Sequence, residues 1–123
     1  MLDATIGLLD DPIVALATPS GRSALALIRL SGQADKVDQV LRDSVRLRLS
    51  KPLKPRTVRL FELIDPTTGE TVDEGLIVRF CGPHSYTGED VVELSIHGNP
   101  VLVEQALGAL QQAGARAANP GEF

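Results

Sequence analysis

The sequence predicts an α+β domain, a mixed β-sheet with covering helices. Three observations predict it. Several short segments alternate apolar and polar residues, the period of a half-buried strand. Two other segments, over about 33–43 and from Pro100 onward, instead carry apolar residues at helical spacing. Turn-forming stretches such as "TPSG" and "DPTTGE" separate these segments. Read in order, the elements run β-β-α-β-β-β-α-β.

Residues 1–11 read as a loose leader. Ile13–Ala17 is a short strand, stopped by Thr18-Pro19-Ser20-Gly21. Ala24–Leu30 is a second, buried strand. Ser31 is placed to cap a helix over about Gln33–Asp43, whose inner face carries Val37, Val40 and Leu41. "VRLRL" at Val45–Leu49 fits either a strand or an extension of that helix. The prolines of "KPLKPR" mark a connection. Thr57–Ile64 and Val72–Phe80 flank the "DPTTGE" turn and form the clearest hairpin signal in the chain. The helix between strands 24–30 and 57–64 allows one crossover unit.

After a loop over residues 82–89 comes the strand Val91–Ile96. Asn99 and Pro100 start a helix, as an Asn cap followed by a proline whose missing N–H costs nothing there. Val103, Leu107 and Leu110 form its apolar face. Gly114 stops it, and Ala115–Ala118 reads as a last short strand.

The chain has 123 residues, 43% hydrophobic and 23% charged, which fits one ordinary globular domain with a real core. Aromatics are few, so Leu, Val, Ile and Ala must fill that core. The net charge is −4, which argues against a strong nucleic-acid binder overall. The charge is uneven: residues 1–59 sum to +4 and residues 60–123 to −8. The segment Lys36–Arg59 holds 8 of the 12 cations, either as a solvated face or as a surface for an anionic ligand tail or an RNA backbone. Cys81 is the only cysteine, so no disulfide forms within the chain. The N-terminus lacks a basic signal region and no apolar run is long enough to span a bilayer, so a cytoplasmic location is expected.

Several residues have the chemistry for a site. In the strand Val91–Ile96, Val92, Leu94 and Ile96 share one parity, while Glu93, Ser95 and then His97 fall on the other. Arg29 shares a strand face with Leu25 and Leu27, where a guanidinium is rarely left unpaired. Arg29 and Glu93 therefore read as a cross-strand ion pair, as two solvated groups, or as polar anchors of a ligand pocket. "SYTGED" at residues 85–90 offers Tyr86 for stacking on a flat ligand, or simply a turn with a tethering tyrosine. "ATPSGR" resembles a phosphate cradle, but the P-loop pattern occurs nowhere in the chain. Cys81 and His84 form one Cys-x2-His pair with no second pair, which is weak for zinc; Cys81 reads better as a small core residue. Ser85 and Ser95 assemble into no triad by spacing. His97, before Gly98, reads as a hydrogen-bonding loop residue rather than a general base.

The blocks "IVALATPSGRSALALIRLSG", "GPHSYTGEDVVELSIHGNP" and "GARAANPGEF" together resemble the N-terminal domain of the tRNA uridine-modification GTPases, the MnmE/TrmE family. They occur in the family's order and span most of the chain, and the motif GP-x-SYTGED-x2-E-x3-HG is long and specific. The resemblance implies a fold similar to the tetrahydrofolate-binding domain of one-carbon enzymes. It implies a homodimer that binds a 5-formyl-tetrahydrofolate-type cofactor. It also implies that the full protein works on tRNA with an FAD-dependent partner, modifying the wobble uridine.

By matching positions, the resemblance makes Arg29 and Glu93 folate contacts, with Tyr86 a weaker candidate near the ring. A third family contact, a lysine shortly after the "PGEF" block, has no counterpart in these residues. Neither do the helical domain, the GTPase domain or the C-terminal cysteine motif, so the chain is expected to be a non-catalytic N-terminal domain. The sequence departs from the family pattern at Ser23-Ala24, where Gly-Gly is usual, and at Asn99, which replaces the second glycine of His-Gly-Gly. The rival expectations are a pure dimerisation module, with Arg29–Glu93 as a structural pair, and an RNA-contacting domain using residues 36–59.

Overall fold

A computed structural model of the protein describes residues 11–47, 51–83, 85 and 87–123. Seven strands form one sheet: β1 (Ile13–Leu16), β2 (Leu25–Gly32), β3 (Val45–Leu47), β4 (Arg59–Ile64), β5 (Thr71–Phe80), β6 (Asp90–His97) and β7 (Arg116–Ala117). Two helices accompany them, α1 (Ala34–Ser44) and α2 (Pro100–Gln112). The strand order is β3-β4-β5-β6-β2-β1-β7. All neighbours are antiparallel except β1 and β7, so the sheet is mixed and the α+β expectation holds.

The crossover differs from the expected one. Following the antiparallel pairings across the sheet, β4 runs opposite to β2, so α1 does not join those two as a crossover pair. It joins β2 to β3, which run the same way with three strands between them. A second crossover, β6–α2–β7, passes over β2 and β1.

Strand parity sorts the side chains. Ala26, Ile28 and Leu30 of β2 lie in register with Ile96, Leu94 and Val92 of β6, and all are buried. They meet Phe61 and Leu63 of β4, Ile77 of β5, Val37 and Val40 of α1, and Val103, Ala106 and Leu110 of α2. This helix-covered side is the core; each fully buried Leu or Ile contributes about 1.5–3 kcal/mol relative to exposure. The opposite side of the sheet has no helix against this row of strands and carries Arg29, Glu93 and Ser95.

The first helix is not capped as expected. β2 continues to Gly32, with Ser31 paired to Ile13 and Val91 and Gly32 to Asp90, so Ser31 is a strand residue. Gln33 occupies the cap position with no side-chain hydrogen bond. The helix ends where the Ser44 hydroxyl donates to the Val40 carbonyl (2.6 Å), and β-branched Val45 turns extended. Residues 45–47 are a strand, which resolves the choice left open by the sequence; 48–50 lie outside the described residues, as do 1–10 of the expected leader.

The second helix follows its sequence signals closely. Asn99 accepts from the N–H groups of Val101 (2.8 Å) and Leu102 (3.4 Å), and Pro100 occupies the first helical position. At the other end Gly114 takes φ 122°, while the Ala115 and Gly114 N–H groups donate to Leu110 and Gln111. That is a Schellman closure, which needs the left-handed residue.

The departure at Asn99 has a local explanation; nothing in the structure explains that at Ser23-Ala24. The Ser23 N–H donates to the Gly98 carbonyl (3.0 Å) and the Gly98 N–H to the Ala24 carbonyl (3.2 Å). A Cβ on Gly98 would lie 2.2 Å from the Ser23 carbonyl oxygen, so this glycine is required. The next position is not so confined, and asparagine there caps α2. A tighter constraint sits inside β5, where a Cβ on Gly75 would lie 1.9 Å from the Ser95 carbonyl oxygen and 3.3 Å from the Phe61 ring. Gly75→Ala is therefore expected to cost about 3 kcal/mol by forcing strands β5 and β6 apart. Urea unfolding would show it as a lower midpoint at unchanged slope.

Candidate functional site

The candidate site lies on the sheet face away from the helices. Arg29 and Glu93 are directly opposed in the β2–β6 register, and Arg29 Nε donates to Glu93 Oε2 at 2.9 Å. Their side chains keep 31% and 26% of their surface exposed. Of the readings open in the sequence, two independently solvated groups are thus excluded. The pair is half-buried and reachable from solvent, as a ligand anchor must be.

The neighbours in register define the surroundings. Ala15 flanks Arg29 on β1, and Val78 flanks Glu93 on β5. Beside Arg29 is a cleft of about 370 Å³, floored by Ala15, Leu16 and Ala17 and walled by residues 118–123. That size lies within the usual range for small-molecule sites. Glu93 does not line this cleft; it holds Arg29 from the sheet-centre side. The "PGEF" wall is pinned by Arg116, which bonds the Glu122 carboxylate through both terminal nitrogens. Arg116 and then the Asn119 N–H pull the Glu122 carboxyl down to about 2.

A larger cleft of about 640 Å³ meets the first at Glu122 and Phe123 and is lined also by Ser31, Thr87 and Glu89. Here Thr87 and Glu89 meet the same face. The Ser31 and Thr87 hydroxyls share a hydrogen bond of 2.7 Å. Val91, on the parity of Glu93, is buried at the same end of the face. The structure thus brings Thr87 and Glu89 of the "SYTGED" block onto the strand face that carries Arg29 and Glu93. Tyr86 itself lies outside the described residues, as does His84.

That loop is anchored by a charge cluster the sequence reading missed. Asp90 accepts from the Gly82 N–H (3.0 Å) and from Nη2 (2.7 Å) and Nε (3.1 Å) of Arg79. Arg79 also bonds Asp38 of α1 and the Ala34 carbonyl. Burial alone would raise the Asp90 pKa, but the Gly82 N–H and the Arg79 guanidinium outweigh it and hold the carboxyl below its ordinary value. The signal was present in the strand parity. Arg79 shares the core-facing parity of Ile77, and Asp90 that of Val92, so two opposite charges point inward at adjoining strand ends.

His97, expected as a hydrogen-bonding loop residue, is instead the last residue of β6, and it does form hydrogen bonds. Its Nδ1 lies 3.1 Å from both carboxylate oxygens of Asp73, and its N–H donates to Asp73 at 2.9 Å. Burial would raise the Asp73 pKa; the bonds from His97 and Glu74 outweigh it and lower it. Cys81 is half-buried, and its thiol contributes a hydrogen bond to Asp90. Among the described residues no group of three or more His, Cys, Asp or Glu side chains converges as a metal site, and no helix is long and apolar enough to cross a membrane.

A further property of this face is apolar exposure. Leu27, Ser95, Leu76 and Leu60 form one row across β2, β6, β5 and β4. Leu60 and Leu76 are 51% and 43% exposed, and Leu25 at the end of β2 is 62% exposed.

Comparison with known proteins places the chain. Residues 12–123 match the family described as "GTP-binding protein TrmE N-terminus". The tRNA modification GTPase MnmE of Aquifex aeolicus is 45% identical over 115 residues, covering 92% of this chain and 24% of that protein. The proteins of the same name from Halorhodospira halophila and Thermus thermophilus are 47% and 41% identical, covering 92% and 94% of this chain and 23% and 26% of theirs. The chain therefore spans about a quarter of the length of these curated relatives. With its whole described sheet and both helices inside the matched region, the chain belongs to the TrmE N-terminal family.

Proposed function

We propose that the chain is a folate-binding and homodimerisation domain serving tRNA wobble-uridine modification, and that it holds a 5-formyl-tetrahydrofolate-type cofactor carrying the one-carbon unit. The observation that carries the reading is the Arg29–Glu93 pair, half exposed beside a cleft of ligand size. A pterin presents an N–H and an NH2 side by side on its aminopyrimidinone edge. A carboxylate accepts both at once in a charge-complementary way, which is the role assigned to Glu93. Arg29, which lines the cleft, binds a carbonyl or carboxylate of the same ligand. Tyr86, of the same sequence block as Glu93, is assigned to pack near the ring.

Dimerisation is supported by the exposed leucines of this face, Leu60 and Leu76 adjacent on β4 and β5 and Leu25 at the end of β2, which a second copy would cover. In the longer proteins of this family the domain would serve GTP-dependent chemistry on tRNA together with an FAD-dependent partner, chemistry for which the 123 residues hold no P-loop. The rival is a dimerisation module without a cofactor, in which Arg29–Glu93 only joins β2 to β6. Calorimetry separates the two: saturable 5-formyl-tetrahydrofolate binding at one site per chain is expected, and a tight dimer by ultracentrifugation with no heat of binding would establish the rival.

A further inference from the structure

The strongest charge feature outside the candidate site is the long connection from β3 to β4. Residues 44–61 hold six cations and not one acid, in a chain of net charge −4. Of the six, Arg48 lies outside the described residues. Arg46 is paired with Glu62 across the β3–β4 ladder (3.3 Å). Arg59 turns back on the connection, its Nη1 donating to the carbonyls of Lys51 (3.0 Å) and Pro52 (3.1 Å).

The remaining three, Lys51, Lys54 and Arg56, are exposed, and among the described residues none has an ion-pair partner. They project from a backbone that is held in place. The Arg56 N–H donates to the Arg79 carbonyl (2.8 Å) and the Thr57 N–H to the Lys54 carbonyl (3.3 Å). Pro52 and Pro55 stiffen the stretch further. Arg42, exposed in the last turn of α1, lies along the same chain segment and is likewise without an ion pair among the described residues. Three cations presented from a fixed loop, with no acidic neighbour in its sequence, form a surface for a regularly spaced polyanion.

We propose that the β3–β4 connection is a docking edge for the phosphate backbone of a folded RNA, contacted through Lys51, Lys54 and Arg56. The segment offers no aromatic side chain to stack on bases, since Phe61 at its end is buried. Its contacts therefore go to phosphates, which position a nucleic acid without reading its sequence. The choice of RNA over another polyanion rests on the proposed role in tRNA modification.

The test is fluorescence anisotropy of the 123-residue chain with a labelled tRNA between 50 and 200 mM salt. Three phosphate contacts predict a log–log slope between about −2 and −3, and a loss of affinity of about 20- to 40-fold across that range. The variant Lys51→Gln/Lys54→Gln/Arg56→Gln should lose more than tenfold in affinity at 50 mM salt and most of the slope. A control with the same net-charge change at exposed positions elsewhere, Ser20→Glu/Gln105→Glu/Gln111→Glu, should keep both. Equal losses in variant and control, no binding at 50 mM salt, or competition by poly-L-glutamate as effective as unlabelled tRNA at equal charge concentration would overturn the proposal. Folate calorimetry on the same variant keeps the two readings apart, because these residues lie outside both clefts beside Arg29.

Discussion

Glu93→Ala is expected to weaken the proposed binding of 5-formyl-tetrahydrofolate by about a hundredfold, or about 2.7 kcal/mol, because two hydrogen bonds to a charged acceptor would vanish together. Isothermal calorimetry measures it. Glu93→Gln loses most of the same affinity, since an amide presents one acceptor oxygen and an NH2 that opposes the ligand's donors. Arg29→Ala should also weaken binding, and the double variant should fall short of the sum, because each residue holds the other at 2.9 Å. Stability provides the contrast. A partly exposed pair is worth about 0–1 kcal/mol to the fold, so the unfolding midpoint should barely move. A large loss of stability with unchanged affinity would instead assign the pair a structural role.

Arg79→Ala is the most damaging single charge deletion expected in the chain. Its side chain is 13% exposed and that of Asp90 12%, so the variant leaves a mostly buried carboxylate without its cation. Removing one partner of such a pair costs about 3 kcal/mol, read by urea unfolding at pH 7. The cost depends on pH in a direction set by Asp90. Its carboxyl is held below the ordinary 3.8 in the folded protein. The stabilisation is therefore complete above about pH 5 and is lost as pH falls through the ordinary value towards the lower folded one. The gap between wild type and Arg79→Ala should accordingly narrow on acidification below that point. A gap that widens would mean that Asp90 is not the group linked to folding. The same variant should loosen the loop over residues 82–89, since Asp90 ties Gly82 and Arg79 together.

Local signals in the sequence were largely legible. Asn99-Pro100 and Gly114 bound α2 because caps and glycine conformations act within a few residues. The hairpin of β4 and β5 follows from its turn and its alternation. Ser31 was misread because a serine before an apolar helical pattern is an ordinary cap signal; the pairing of β2 with both β1 and β6 decides otherwise, and pairing is not local. The crossover was misread for the same reason: nothing within the segment 33–64 says that three strands lie between β2 and β3. Arg29 and Glu93 were singled out by polarity on strand faces, yet 64 residues separate them. Only the register of β2 against β6 brings them together. Asp73 gave no signal beside His97, because the two lie on different strands 24 residues apart.

The most direct test of the central claim is a crystal structure of the chain soaked with 5-formyl-tetrahydrofolate. The account predicts a pterin whose N–H and NH2 lie within hydrogen-bond distance of the Glu93 carboxylate, with the ligand running past Arg29 into the cleft walled by residues 118–123. A ligand bound elsewhere on the chain, with Arg29 and Glu93 still bonded only to each other, would contradict it.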